Sequence, residues 1–356
     1  MAADTDRATA LKEFDETKAG VKGLADSGIT SIPAIFHHPN LHLTPAASNI
    51  SIPTIDLSLP RPMAVDLIRA ASRDWGFFQL VNHGIPLSTI EATISAVRSF
   101  HELPTAVRSQ HYTRTHVGGV SYYSNPDLLL SAAASWRDTL YVTFGPVRPE
   151  LDRIPEVCRA EMVAWKQHAR EVAREVMGMM CEGLGVGPGR LEEMTCLEGT
   201  GMVGNYYPPC PEPHRTLGVV DHTDPGVLTV LIQDQIGGLQ VKKMINGDEY
   251  CWVDVNPVPG ALVFNAGDLL QIISNDEYQS VQHRVVANSG ENGRVSVAVF
   301  FSPGKREDSD IYGPLPELIS VENPAKYCNL KMSELMGAFF NKELASKSIL
   351  QQFKLP

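Results

Sequence analysis

A mixed α and β fold, with a double-stranded β-helix (jelly-roll) core, flanking N-terminal helices and a C-terminal helix, is what this sequence predicts. Three observations predict it. Between residues 196 and 305, short β-branched runs (Leu228-Thr-Val-Leu-Ile, Gly238-Leu-Gln-Val, Ala261-Leu-Val-Phe, Val295-Ser-Val-Ala-Val-Phe-Phe) are cut by Gly, Pro, Asn and Asp, which is the pattern of an antiparallel sandwich or jelly roll. Residues 51–195 instead mix strand signals with helical spacing. Beyond residue 306, Leu335, Phe339, Phe340 and Leu344 fall along one side of a helix. The segments expected are therefore an N-terminal helix and linker over 1–50, a supporting region over 51–195, the jelly roll over 196–305 and a helical tail over 306–356.

In chain order, residues 8–24 read as one charged amphipathic helix, with Leu11, Phe14 and Val21 on its apolar stripe. Residues 37–50 hold His37, His38 and His42 among Pro and Asn; a loose trio without acidic or cysteine company reads as linker, not as a metal site. A strand is expected from Ile52, a helix over 63–73 and a second strand at Phe77-Phe-Gln-Leu-Val, ended by a turn at Asn82-His83-Gly84 in which His83 is structural. Ser88 and Glu91 have capping-box spacing, and Ile90, Ile94 and Val97 then recur at helical intervals until Pro104. Residues 112–144 are irregular, the kind of segment that touches substrate. A long helix follows over 156–184, with Trp165, Ala169, Val172, Val176 and Met179 on its buried face and glycines at its end. Ser333 reads as the cap of the last helix, which either packs outside the 156–184 helix or leans across the mouth of the barrel.

Composition narrows the partners. A net charge of -11 and 43% hydrophobic residues describe a globular chain that repels nucleic acid and anionic membranes, so small molecules are the expected partners. Six cysteines without C-x-x-C pairing suit reduced thiols, and no run has the form of a signal peptide or a membrane span. A cytoplasmic monomer is expected.

The chemistry concentrates between Val219 and Pro303. Chance supplies about 0.6 His-x-Asp triplets in a chain of this composition, so His222-Thr-Asp224 alone carries nothing. Its weight comes from the ordered set: His283 lies 59 residues beyond Asp224, and Arg294-Val-Ser296 is the one Arg-x-Ser in the chain. Two neutral imidazoles and a carboxylate can hold one face of a six-coordinate iron(II) and leave three positions open. Because both imidazoles must be neutral, metal affinity should fall in acid. Arg294 and Ser296, two apart on a strand, reach one face and can grip a second carboxylate with a forked, permanently charged group.

Asn205-Tyr-Tyr-Pro-Pro-Cys-Pro-Glu-Pro, His222-Thr-Asp, Gly237-Gly-Leu-Gln, Gly267-Asp-Leu-Leu-Gln-Ile, Ser280-Val-Gln-His-Arg and Arg294-Val-Ser together resemble the plant 2-oxoglutarate and iron(II)-dependent dioxygenases. Phe14-Asp-Glu-Thr-Lys-Ala-Gly-Val-Lys-Gly-Leu and Ile32-Pro-Ala-Ile-Phe resemble the subgroup called aminocyclopropane-carboxylate oxidase homologues, which includes alkaloid and benzoxazinoid hydroxylases. The match spans nearly the whole chain, with one departure: Arg294 follows His283 by eleven residues where these enzymes more often have ten, and the extra residue fits the polar turn from Asn288.

The resemblance implies Fe(2+) on His222, Asp224 and His283, and 2-oxoglutarate on Arg294, Ser296 and Tyr207, with Asn205 beside them. It further implies O2 as oxidant, ascorbate as reductant, and conversion of 2-oxoglutarate to succinate and carbon dioxide as a small plant metabolite is oxidised, most commonly hydroxylated. Demethylation or desaturation would use the same site. By resemblance and position, Tyr122, Tyr123, Leu140, Val142, Phe300 and Ser302 are expected to line the substrate pocket, whose aromatic and aliphatic character suits an indole, alkaloid, benzoxazinoid or phenolic. Two other readings stand beside this one: an aminocyclopropane-carboxylate oxidase proper, which has the same triad and Arg-x-Ser but uses ascorbate in place of 2-oxoglutarate, and a jelly-roll binding protein without chemistry.

Overall fold

The computed structural model describes residues 2–356 apart from 40, 42, 44, 45, 48, 49, 127, 129, 130, 247, 248, 305–309 and 341–348. His42 and Leu344 thus lie outside the described residues. The helix expected over 8–24 is two helices, α1 (Ala2–Glu16) and α2 (Gly20–Asp26), because Lys18 and Gly20 take positive φ of 54° and 71° and turn the chain between them. The apolar stripe survives the break: Leu11, Phe14 and Val21 share a buried cluster with Ile35, Phe36 and Trp136.

The body then runs β1 (Thr54–Asp56), α3 (Arg61–Asp74), β2 (Phe77–Val81), α4 (Leu87–His101), α5 (Thr105–Arg108), β3 (Thr113–Val117), β4 (Val120–Ser124), β5 (Asp138–Gly145), α6 (Glu156–Gly183) and α7 (Arg190–Glu193). It continues through β6 (Gly199–Tyr207), β7 (Leu217–His222), β8 (Leu228–Gln233), β9 (Leu239–Asn246), β10 (Glu249–Asp254), β11 (Leu262–Ala266), α8 (Asp268–Ile273), β12 (His283–Val286), β13 (Arg294–Ser302), β14 (Ile311–Tyr312), β15 (Leu330–Lys331) and α9 (Met332–Phe340). Helices α3, α4, α5 and α6 each start directly behind a proline, Pro60, Pro86, Pro104 and Pro155, whose fixed φ suits the entry to a helix. For α4 this displaces the expected capping box. The helix begins at Leu87, Ser88 falls inside its first turn, and no side chain caps it. The same shift occurs at α9, which starts at Met332 and not after Ser333; Glu334 reaches back to accept the Lys331 amide at 2.7 Å.

Strands from both sides of residue 196 share one sheet, in the order β1-β2-β11-β8-β13-β6-β5-β4-β3, and a smaller sheet, β10-β9-β12-β7, faces it. These two sheets are the jelly-roll core. The outer face of the large sheet is covered by α3, α4 and α6: Leu140, Val142, Met202, Val295, Val297 and Val299 join Val97, Trp165, Val172 and Val176 in the main core. A Cβ on Gly204 of β6 would meet Val97 of α4 at 2.8 Å, so the helix lies directly on the strand. With side chains alternating across each strand, the residues between these outer ones face the smaller sheet and enclose a cavity.

Candidate metal centre and active-site cavity

The smaller sheet brings the two histidines together. His222 ends β7, His283 begins β12, and they are cross-strand partners with ring centroids 4.2 Å apart. Each Nδ1 faces a backbone carbonyl two residues back, His222 toward Val220 at 2.9 Å and His283 toward Val281 at 3.1 Å. A carbonyl only accepts, so in the neutral rings the proton sits on Nδ1 and both Nε2 lone pairs are free to ligate. Both Nε2 atoms lie 3.7 Å from Asp224 Oδ1. That is too long for a hydrogen bond, yet two bonds of about 2.0–2.2 Å to a shared divalent ion would span it.

Asp224 is held from behind. Its Oδ2 accepts from Thr229 Oγ1 at 2.6 Å and Asn265 Nδ2 at 2.8 Å, which leaves Oδ1 to face the imidazoles. The loop carrying it packs on the start of α8: the Asp268 amide donates to the Asp224 carbonyl at 2.7 Å, and Thr223 Oγ1 to Asp268 Oδ2 at 2.9 Å. Here Gly267 is required by close approach, because a Cβ would come within 2.2 Å of the Gly226 carbonyl. Burial opposes the charge on Asp224, but His283, His222, Asn265 and Thr229 outweigh it and hold the carboxyl below its ordinary range. His222 is driven down to about 3, by burial first and His283 second. Among the described residues this is the group of His, Cys, Asp or Glu spaced to hold a metal, its ligand atoms all within 4.8 Å of one another. The donor set fits a six-coordinate iron(II) with an open face.

Across the same cavity, on the large sheet, Arg294 is only 2% exposed. Its Nη2 donates to Gln233 Oε1 at 2.8 Å, Nη1 to Ser296 Oγ at 3.4 Å, and its plane lies 4.8 Å over the Tyr207 ring. Tyr207 and Asn205 are its neighbours across β6, paired with Arg294 and Ser296 respectively. Nε of Arg294 and Nε2 of Gln233 are buried without a partner, and among the described residues no carboxylate pairs with this guanidinium. An always-charged group buried this deeply is costly unless an anion joins it, and a carboxylate is what its fork matches. The extra residue before Arg294 sits in a turn closed by Asn288, which donates to the Tyr207 and Asn292 carbonyls at 3.1 and 2.7 Å.

Of the residues expected to line a substrate pocket, Tyr123, Phe300 and Ser302 do line the cavity, together with Asn205, Tyr207, Arg294 and Ser296. Tyr122, Leu140 and Val142 do not. They lie one residue out of phase, in the core beneath the helices, where Tyr122 packs edge-on against Phe100 at 5.0 Å and accepts from Arg108 at 3.3 Å. The phase of β5 is set by Asp138, which turns to the outer side to accept the Val21 and Lys22 amides, each at 2.8 Å; Thr139 and Tyr141 therefore face the cavity.

Sequence reasoning missed Thr229, Asn265, Gln233, Arg137 and Tyr141. For the first three the signal was present, polar residues in otherwise apolar runs at the strand parity of the cavity-facing side chains. At the mouth, Met332, Met336, Phe339 and Phe340 of α9 line the cavity, while Leu335 joins the main core with Ile349 and Leu350. His83 is structural, with Nε2 2.8 Å from the Gly260 carbonyl.

Comparison with known proteins agrees with this geometry. Residues 199–303 match the 2OG-Fe(II) oxygenase superfamily, and residues 52–157 match the family described as non-haem dioxygenase in morphine synthesis N-terminal. The chain is 44% identical to 1-aminocyclopropane-1-carboxylate oxidase homolog 3 of Arabidopsis thaliana, covering 98% of this chain and 97% of that one. It is also 44% identical to a probable 2-oxoacid dependent dioxygenase of Arabidopsis thaliana, over 92% of each chain. Among solved structures it is similar to JOX2 in complex with 2OG, Fe and JA, with TM-score 0.82, 30% identity and coverage of 95% of this chain and 98% of that one. With the triad, the buried arginine and near full-length relatives in agreement, the chain belongs to the 2-oxoglutarate and iron(II)-dependent dioxygenases, in the aminocyclopropane-carboxylate oxidase-like group of plants.

Proposed function

We propose that this dioxygenase oxidises, most commonly by hydroxylation, a small specialised metabolite of plants, with iron(II) on His222, Asp224 and His283 and 2-oxoglutarate on Arg294, Ser296 and Tyr207. The observation that carries the residue assignment is the buried guanidinium of Arg294, without a carboxylate partner among the described residues, in the same cavity as the His-Asp-His group. Bound there, iron(II) with 2-oxoglutarate supplies oxidation of a substrate C–H bond by O2, at the expense of decarboxylating the keto acid to succinate and carbon dioxide. The chain's own residues do the rest. The Val220 and Val281 carbonyls fix the imidazole tautomers, Thr229 and Asn265 aim Asp224, and Arg294 with Ser296 orients the distal carboxylate of the co-substrate. A cavity of about 390 Å³ with Tyr123, Tyr141, Phe300 and Phe339 on its walls suits a flat, partly apolar substrate. Phe339 and Phe340 shield the reaction from water, with ascorbate keeping the iron reduced.

The test is a screen of plant-extract metabolites for gain of one oxygen mass, with iron(II), ascorbate and 2-oxoglutarate, counting succinate against product. Product in step with succinate is expected, and Phe339→Ala combined with Phe340→Ala should make succinate outrun product. Product formed with ascorbate and no succinate would select the aminocyclopropane-carboxylate oxidase reaction instead, and succinate unaffected by any metabolite would leave the substrate class wrong.

A further inference from the structure

The cavity holds a second cation that neither the metal group nor Arg294 engages. Arg137 immediately precedes β5 on the same parity as Thr139 and Tyr141, and it lines the cavity beside Tyr123 and His222. Its Nε is buried with no hydrogen-bond partner, and among the described residues no carboxylate lies within 4.0 Å of its guanidinium. Neighbouring arginines are treated differently. Arg114 is paired with Asp15 at 2.8 Å, and Arg108 stands 4.0 Å from Asp138. Asp138, adjacent to Arg137 in sequence, faces the opposite side of the strand, where Val21, Lys22 and Ser124 occupy its oxygens.

The charge of Arg137 is felt inside the cavity. At Tyr123, where burial raises the phenol to about 12, Arg137 acts in the opposite direction. A guanidinium left beside a metal group in a largely apolar cavity attracts an anion and supplies a fork that matches two oxygens. Arg294 cannot serve the same ligand group, since Tyr207, Gln233 and Ser296 surround it and the co-substrate carboxylate is assigned to it.

We propose that Arg137 anchors an oxyanion of the prime substrate, so that this enzyme takes an acidic small molecule whose apolar body rests on Tyr123, Tyr141, Phe300 and Phe339. This rests on the assignment of 2-oxoglutarate to Arg294. It narrows the substrate class: a neutral phenolic or a cationic alkaloid would leave Arg137 unanswered, or would be repelled by it.

The test is calorimetric binding to the full chain loaded with Mn(II) and saturated with 2-oxoglutarate, which blocks the Arg294 site and prevents turnover. Probes are a set of arylalkyl carboxylates, the sulfonates of the same skeletons and their neutral carboxamides. At least one anion should bind about tenfold or more tightly than its carboxamide, the worth of a charge-assisted bond. Arg137→Gln should abolish that preference, Arg137→Lys should keep part of it, and both variants should keep the wild-type affinity for 2-oxoglutarate, which also reports that they are folded. Carboxylate preference over sulfonate, or the reverse, identifies the oxyanion. Absence of any anion preference in the wild type, or its persistence in Arg137→Gln, overturns the anchor while leaving the co-substrate assignment intact. Failure of the wild type to bind 2-oxoglutarate overturns both.

Discussion

The metal group and the Arg294 pocket face one another across a single cavity and are built on opposite plans. Around His222, Asp224 and His283, the non-ligating side-chain polar atoms are occupied: two Nδ1 atoms by carbonyls, Oδ2 by Thr229 and Asn265. What remains is one aimed atom per residue. Around Arg294 the plan is reversed, with Nε and the Gln233 amide nitrogen buried and unsatisfied. On the assignment proposed above, the difference teaches how one cavity would host a resident ion and a consumable molecule. The ion needs its ligands fixed in advance, whereas a co-substrate that must leave as a different acid gains from a pocket whose vacant donors favour its carboxylate.

Breaking the first plan should have the largest effect. His222→Ala, Asp224→Ala or His283→Ala should abolish measurable iron binding by metal titration and with it turnover, since two donors cannot hold the open face. Retention of iron and a near-normal rate in any of the three would remove that residue from the ligand set. Next comes the second plan: Arg294→Lys keeps the charge but loses the fork, so the KM for 2-oxoglutarate should rise by about 10- to 150-fold, from the roughly 1.5–3 kcal/mol of a charge-assisted bond. Iron affinity should not move, and an unchanged KM would make Arg294 a structural residue. A milder attack on the aiming of Asp224 is Thr229→Val, which removes one of two donors to Oδ2 and should weaken metal binding by about 10- to 100-fold without altering the 2-oxoglutarate KM at saturating iron. Equal loss in both constants would mean that the two plans are not separable.

A third buried histidine sharpens the comparison. His101 also has one nitrogen at a carbonyl, Nε2 3.0 Å from Gly204, but among the described residues its Nδ1 has no partner and no carboxylate pairs with the ring. Burial drives its proton affinity down to about 3, with the Gly204 carbonyl opposing and Arg108 adding to the shift. The folded value is below the ordinary 6.5, so the unfolded chain takes up a proton that the folded chain refuses. Stability is therefore whole above about pH 6.5 and lost as pH falls toward 3, by about 2 kcal/mol between pH 6.5 and 5. Denaturant unfolding of the metal-free protein should show this slope reduced by about one proton in His101→Leu. An unchanged slope would assign the acid sensitivity elsewhere.

The meeting of His222, Asp224, His283, Arg294 and Ser296 in one cavity was legible in the sequence for a definable reason. Their expected roles are tied to residue type and spacing, and the strands that bring them together are themselves strongly patterned. Tyr122, Leu140 and Val142 were misplaced because a substrate wall depends on strand parity, and the parity of β5 is fixed by a distant contact, Asp138 with the backbone of α2. Of the two positive-φ residues that split the first helix, Gly20 was a local signal passed over, whereas Lys18 is an unremarkable residue for a helix interior. The caps at Ser88 and Ser333 failed for a related reason: the prolines and Glu334 that serve those helix starts compete with a plausible serine a residue or two away.

The contact between Asp138 and the amides of Val21 and Lys22 also decides where this enzyme ends as a physical object. The matched N-terminal family region begins at residue 52, yet the carboxylate behind the cavity wall draws its backbone donors from residues 21 and 22, with Gly20 so close that a Cβ would meet Asp138 Oδ2 at 2.6 Å. A chain trimmed to residue 52 would retain the His222, Asp224 and His283 group with Arg137 and Arg294 and still lose that buttress. It would leave a buried acid short of donors directly behind Thr139 and Tyr141, and the cavity wall would soften from its far side. The N-terminal segment is thus a remote support of the cavity wall, and grafting that segment from a relative would alter the wall without touching a residue that faces the cavity.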